Sequence, residues 1–270
     1  MSALFYKTWR ETRFSLLLFG IGFLAFELML MFIFPNLMDQ AGMHFLEIPF
    51  VRTIMSSLMG IDLDEGITVQ ALSVFSWIHP VVLALLWAQV IMFCTRIPAM
   101  ESDRGTIDVL LSMPVSRDQV WLAETIIWLA AGLFLMICGI TGGFIGTRVN
   151  GSEDNQSLAV MFQICCNLYC LYLAVGGLAS LFAVLARRRS HAVGCTFALV
   201  LASYLLNVII QIWPPAAVLS VFSLMEYYRP FDVILQGVWA WSDMLTLIIL
   251  GLGLRFVAGW IFRKKDIFCL

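Results

Sequence analysis

Six apolar runs decide what this chain can become. They cover roughly residues 14–34, 77–95, 120–146, 159–186, 191–212 and 242–262. A helix crossing a bilayer needs about 20 mostly apolar residues, and each run supplies them. The fourth and fifth are separated only by the stretch RRRS, a tight turn between antiparallel spans. Composition agrees: 61% of residues are hydrophobic and 13% charged, where a soluble domain carries about 25% charged. The expected fold is all-α, a polytopic membrane protein whose 270 residues form a single transmembrane domain of six helices.

Basic residues set the orientation. Lys7, Arg10 and Arg13 precede the first run; Arg96, Arg104 and Arg117 lie in the 96–118 loop; Arg187, Arg188 and Arg189 form the fourth-to-fifth turn; Arg263, Lys264 and Lys265 close the chain. The other three loops hold one each, Arg52, Arg148 and Arg229. This twelve-to-three bias alternates loop by loop, so the positive-inside rule places both termini and the 96–118 loop in the cytoplasm. The run from Phe14 to Phe34 is too long for a signal-peptide core, and no small-x-small cleavage site follows it, so it reads as a retained first span.

Outside the spans, residues 2–13 set Phe5 and Trp9 four apart, with Lys7, Arg10 and Arg13 on the other face. That pattern predicts an N-terminal amphipathic helix along the membrane surface. The outer segments 35–76 and 213–241 are apolar, aromatic and proline-containing, which suits short re-entrant or surface-lying helices, one of them over Phe45–Met59 with a break at Pro49. All seven cysteines lie in or beside apolar segments, and no disulfide framework is implied.

Several chemistries are excluded. No GxxxxGK[ST] stretch exists, and none of the three lysines follows a glycine-rich loop, so the chain has no P-loop of its own. The histidines His44, His79 and His191 do not gather: His79 and His191 sit a bilayer apart, so they cannot jointly hold a metal or haem. No GxSxG-like elbow suggests a membrane serine protease. Ionisable residues inside the spans are Glu27, Glu124 and Arg255, which are functional suspects by position. Glu124 and Arg255 each lie about 9–12 Å from the cytoplasmic ends of their helices, and a pair between them is geometrically allowed. Three groups are too few for a proton relay, which weighs against a proton-driven transporter.

The stretch ESDRGTIDVLLSMPVSRDQV, 101–120, stands apart as charge and turn formers held in water. Ser102 or Asp103 can cap a new helix. Ile107, Leu110 and Leu111 share one face of it, Pro114 ends it, and Ser116 or Asp118 can cap the third span. The result is one short helix across the cytoplasmic end of the bundle, suited to lie on the membrane or to dock into a groove on a soluble partner.

From Glu101 through Gly105, Thr106, Leu110, Leu111 and Pro114 to Arg117, the pattern E-x-x-x-G-T-x-x-x-L-L-x-x-P-V-S-R resembles the cytoplasmic signature of ATP-binding-cassette permeases of the type-2 exporter class, the ABC-2 membrane family. GGLASLFAVLARRRSHAVG, 176–194, is similar to that family's tight fourth-to-fifth connection, and LSVFSLMEYYRPFDVILQG, 219–237, resembles its outer segment, with Val221 where a proline is usual. The resemblance implies the type-2 exporter fold and an export permease without a nucleotide site, driven by a separate ABC ATPase that binds ATP and magnesium. It implies that Glu101, Arg104, Gly105, Thr106, Leu110, Leu111, Pro114 and Arg117 form the ATPase-coupling interface, with no catalytic residue and no metal. It implies a second permease subunit, identical or related, membrane lipid as surroundings, no nucleic acid, and residence in a bacterial inner membrane. An amphipathic or lipid-like cargo is compatible with the Phe-, Leu-, Trp- and Met-rich spans. The alternatives are a non-transport assembly or mechanotransmission protein docking the same kind of ATPase, and an integral membrane enzyme acting on lipid.

Overall fold

Long apolar helices carry the chain back and forth through a bundle. The computed structural model describes residues 2–37, 48, 69–103, 105, 115–150, 157–236 and 239–264. The helices are α1 (Ser2–Leu37), α2 (Val69–Ile78), α3 (Pro80–Cys94), α4 (Arg117–Asn150), α5 (Leu158–Leu185), α6 (Arg189–Ile212), α7 (Pro230–Gln236) and α8 (Trp241–Lys264). Five of them are long and apolar enough to cross a membrane, and α3 taken together with the bent turn after it is a sixth candidate, as a broken span or a re-entrant loop. No strand occurs among the described residues.

Helix α1 is continuous over 36 residues. The amphipathic stretch 2–13 and the apolar run 14–34 are therefore parts of one rod, about 54 Å long at 1.5 Å per residue. Nothing in its sequence forces a break: no proline or glycine stands between Ser2 and Phe19. The proposed surface helix over Phe45–Met59 lies outside the described residues apart from Ile48. In the other outer segment, short 3₁₀ turns cover Pro214–Phe222 and Leu224–Tyr227, followed by α7. Ser203 of α6 holds this segment down: its hydroxyl accepts from the Leu224 N–H at 2.6 Å, and its carbonyl accepts from the Ser223 hydroxyl at 3.0 Å. Tyr228 donates to the Trp77 carbonyl on α2 at 3.2 Å.

Helix α5 is the buried axis, packed against α3, α4, α6 and α8, while α1 lies along α4 and touches α3. Lipid tails are as apolar as leucine, so close backbone approach is what binds one helix to another here. Gly177 of α5 and Gly251 of α8 form one tight seam. A β-carbon on Gly251 would lie 2.5 Å from the Leu173 carbonyl carbon, and one on Gly177 would strike the Gly251 carbonyl. The glycine face of α4 does the same for α1, with Gly142 against the Leu24 carbonyl and Gly146 against Leu28.

His79 separates α2 from α3. Its Nδ1 accepts from the Val81 N–H at 3.3 Å, so this histidine caps a helix. Past Cys94 the chain bends by 62° into a π turn, Arg96–Met100. Ile97 has left the helical region there (φ −115°, ψ 128°), as the residue before a proline is pushed to do. The six free cysteines among the described residues form no disulfide.

Candidate functional site

A cluster of charged side chains gathers at the end of the bundle where α1, α4 and α6 begin and α3 and α8 end. Lys7, Thr8 and Glu11 recur at helical spacing along the first turns of α1, so they share the face turned toward the π turn and α4. Arg96 is delivered by the break at the end of α3, and Glu101 by the short helical turn that follows it. Glu124 sits two turns into α4.

These groups make a connected ionic network. Lys7 Nζ donates to Glu101 Oε1 at 3.0 Å, across 94 residues of sequence. Arg96 Nη2 donates to Glu11 Oε2 at 2.6 Å and lies 3.7 Å from Glu124 Oε1. The Thr8 hydroxyl donates to Glu124 Oε1 at 2.7 Å. Arg96, Glu101 and Glu124 are all buried, although each sits near a helix end where a long side chain could snorkel to water.

Arg255 lies close by but belongs to a separate cage. Its Nε donates to the Thr125 hydroxyl at 3.0 Å and its Nη1 to the Ser180 hydroxyl at 2.7 Å. The guanidinium sits 4.0 Å from the Trp121 ring centre and 5.4 Å from that of Trp128. The pairing of Glu124 with Arg255 that the sequence allows is not made. Glu124 instead meets Arg96 and Thr8, one turn nearer the helix end. Glu27 lies far from both, wholly buried in α1 beside Ser76 of α2.

The described ends of the 101–117 stretch are both tied to other helices. At the entry, Glu101 bonds Lys7 of α1. The Asp103 carboxylate accepts from the Arg189 N–H at 2.8 Å. Asp103 thus caps α6, where the sequence suggested a cap for the helix following it; Arg188, the N-cap residue of α6, supplies no side-chain bond there. At the exit, Ser116 and Gln119 close a reciprocal capping box on α4, with bonds of 3.2 and 3.1 Å. Arg117 Nη1 donates to the carbonyls of Phe262 and Arg263 at 3.2 and 3.3 Å, at the last turn of α8 where a cation is favoured. Arg263 Nε in turn lies 3.3 Å from Asp118. Gly105 has φ +67°, a left-handed turn that a side chain would strain. Arg104, Thr106, Leu110, Leu111 and Pro114 of the expected coupling interface lie outside the described residues.

Sequence reasoning singled out Glu101, Glu124 and Arg117 but missed the groups they meet: Lys7 for Glu101, Thr8 and Arg96 for Glu124, and the last carbonyls of α8 for Arg117. Lys7, which the amphipathic reading grouped with Arg10 and Arg13, instead shares the inward face of Leu4, Thr8 and Glu11, while Arg10, Arg13 and Trp9 are exposed; the signal available was that helical spacing.

No curated protein and no solved structure matches the chain. Residues 5–204 match the family described as ABC-2 family transporter protein. That match runs from the first turns of α1, through the ionic network and the 101–117 stretch, to the middle of α6. With well over half of its length covered by it, the chain belongs to the ABC-2 family of transporter membrane proteins.

Proposed function

We propose that this chain is the permease of an ATP-driven exporter, coupled to a separate ATPase through residues 101–117. In this reading the stretch faces the cytoplasm of a bacterium and the chain lies in the inner membrane. A second permease subunit completes the pathway, and ATP and magnesium stay on the ATPase. The cargo is amphipathic or lipid-like. Arg104, Thr106, Leu110, Leu111 and Pro114 touch the ATPase, while Glu101 and Arg117 transmit.

The observation that carries the reading is the anchoring of the stretch at both ends. A partner that displaces it pulls on α1 through Lys7–Glu101, on α6 through Asp103, and on α8 through Arg117. Three helices then respond to one contact, which is what a domain without its own energy source needs.

The test is co-purification with an ATPase and measurement of ATP hydrolysis in liposomes. Gly105→Pro places a residue fixed at φ of about −65° where the backbone needs a positive φ. Among the described residues beyond its chain neighbours nothing lies within 4 Å of a β-carbon at Gly105, so the change acts on the turn, where it also removes the N–H that Gly105 donates to the Ser102 carbonyl at 3.1 Å. The expected result is a complex that still assembles its bundle but loses cargo-stimulated hydrolysis. Purified chain that never binds an ATPase, or a Gly105→Pro variant with unchanged coupled activity, ends the proposal.

A further inference from the structure

Beside the ionic network lies a half-open cleft of about 290 Å³, lined by Glu11 and Ser15 of α1, Gln89 and Met92 of α3, Arg96 of the π turn and Arg189 of α6. Small-molecule pockets run from about 300 to 1,000 Å³, so this one admits a headgroup and not a whole lipid.

Its depth is readable from the exposed faces around it. On α1, charge gives way to hydrocarbon between Arg13 and Phe14: Arg10 and Arg13 are exposed, and then Phe14, Leu17, Leu18 and Ile21 are exposed. On α6, exposed Arg188 and Ser190 give way to exposed Phe197 and Leu199. Ser15 and Arg189 stand at that change on the two walls. The cleft therefore opens where phospholipid headgroups lie.

Its chemistry is two-signed. Arg96 is buried, and its Nε and Nη1 find no acceptor among the described residues. A buried N–H left without an acceptor is costly. Gln89 Oε1 is taken by the Tyr172 hydroxyl at 3.1 Å, which leaves the amide nitrogen as the group to offer. The Arg189 guanidinium is fixed at the rim by the Met92 carbonyl at 3.0 Å and the Thr95 hydroxyl at 3.3 Å. Two guanidiniums alone would select an anionic lipid. Glu11, however, presents a carboxylate at the mouth, 39% exposed: its Oε2 accepts from Arg96, and its Oε1 lies 3.7 Å from Lys7 Nζ, longer than a hydrogen bond, so that oxygen keeps acceptor capacity. It repels a second negative charge and receives a positive one.

We propose that this cleft binds the headgroup of a zwitterionic aminophospholipid. The phosphate lies toward Arg96 and Gln89, the ammonium toward Glu11, and the acyl chains run out past Leu18 and Met92, both exposed. The site rests on the membrane setting of the bundle and is independent of the export reading.

Native mass spectrometry of the delipidated chain tests it, with phosphatidylethanolamine, phosphatidylglycerol and soluble phosphoethanolamine as separate probes. Phosphatidylethanolamine should bind about fivefold tighter than phosphatidylglycerol, as a partly exposed charge pair of about 1 kcal/mol gives. Phosphoethanolamine should not compete, since it lacks the chains. Glu11→Gln should erase the preference, and Ser15→Leu, which fills the cleft without touching a charge, should weaken both lipids. Equal or tighter binding of phosphatidylglycerol overturns the proposal. So does competition by phosphoethanolamine at equal concentration, or a Ser15→Leu variant that binds phosphatidylethanolamine as the unmodified chain does.

Discussion

Arg96 faces two carboxylates of unequal exposure, and removing its charge separates their contributions. Its Nη2 lies 3.7 Å from Glu124, with the two side chains 7% and 6% exposed. At an effective dielectric of about 20, that separation corresponds to a gross attraction of about 4–5 kcal/mol. The contact with Glu11 is shorter, at 2.6 Å, but Glu11 is 39% exposed. Solvent screening holds such a pair to about 0–1 kcal/mol. Desolvation of both ions offsets much of the Arg96–Glu124 attraction. Stranding one of them is a different matter, because removing one member of a buried pair costs about 3–5 kcal/mol.

Arg96→Met should therefore destabilise by about 3 kcal/mol, most of it from the Glu124 carboxylate left buried without its cation. Glu124→Gln removes that charge and keeps an amide oxygen to accept from the Thr8 hydroxyl. In the Glu124→Gln background, Arg96→Met should cost only about 1 kcal/mol, a coupling of about 2 kcal/mol. Reversible unfolding in mixed detergent micelles, run on both single variants and the double, gives the cycle. Additivity within about 0.5 kcal/mol would refute the reasoning. A larger coupling of Arg96 to Glu11 than to Glu124 would also refute it, since burial would then not be what decides.

Helix α8 carries its own control for the glycine seam: Gly251 faces the Leu173 carbonyl, whereas a β-carbon on Gly253 meets nothing within 4 Å. Gly251→Ala should lower the melting temperature, at about 1–3 kcal/mol for overpacking, while Gly253→Ala should leave it unchanged or raise it, since alanine is the better helix former by about 1 kcal/mol. Arg255→Lys keeps the charge but loses the planar stack on Trp121 and the paired donation to Thr125 and Ser180; a loss of about 2 kcal/mol is expected, with a shift in tryptophan emission that a remote Arg10→Lys control does not show. Ser116→Ala removes one half of the capping box on α4 and should cost about 0.5–2 kcal/mol in the same unfolding assay.

The all-helical bundle was legible because hydrocarbon leaves the chain little choice: each apolar run of about 20 residues must satisfy its own backbone. Helix starts at Ser157 and Ser116 follow from capping chemistry that is local in sequence. The ionic network was not legible, since its bonds join positions 85 to 116 residues apart. A carboxylate such as Glu124 announces that it needs a partner; which one depends on the rotation of α1 about its axis. The same holds for Asp103, whose carboxylate meets the N-terminus of α6, 86 residues further along the chain. The continuity of α1 through Arg13 was masked by the change from amphipathic to apolar pattern, which alters what surrounds a helix without ending it.

The network and the glycine face divide the work of holding α1 to α4. The two helices start at the same end and run parallel, with Thr8 against Glu124, Gly20 against Phe134 and Cys138, and Leu28 against Gly146. Glycines spaced four apart, Gly142 with Gly146, let the backbones approach, and Gly139 makes room for Phe23, but such a face selects one register poorly. A slide of about one turn, 5.4 Å, presents a similar surface. It would break the Thr8–Glu124 and Lys7–Glu101 bonds, which span 2.7 and 3.0 Å. Our hypothesis is that the glycines supply adhesion and the network supplies register, the role best attested for buried polar groups. Native Cys138 reports on it, because a β-carbon on Gly20 lies 3.2 Å from its Sγ. Oxidation should join Gly20→Cys to Cys138 in the otherwise unmodified chain. With Lys7→Met, Thr8→Val and Arg96→Met added, cross-links from Leu16→Cys or Leu24→Cys, one turn either way, should appear. If only the Gly20→Cys link forms in both backgrounds, the glycine face alone sets the register and the charges serve the 101–117 stretch instead.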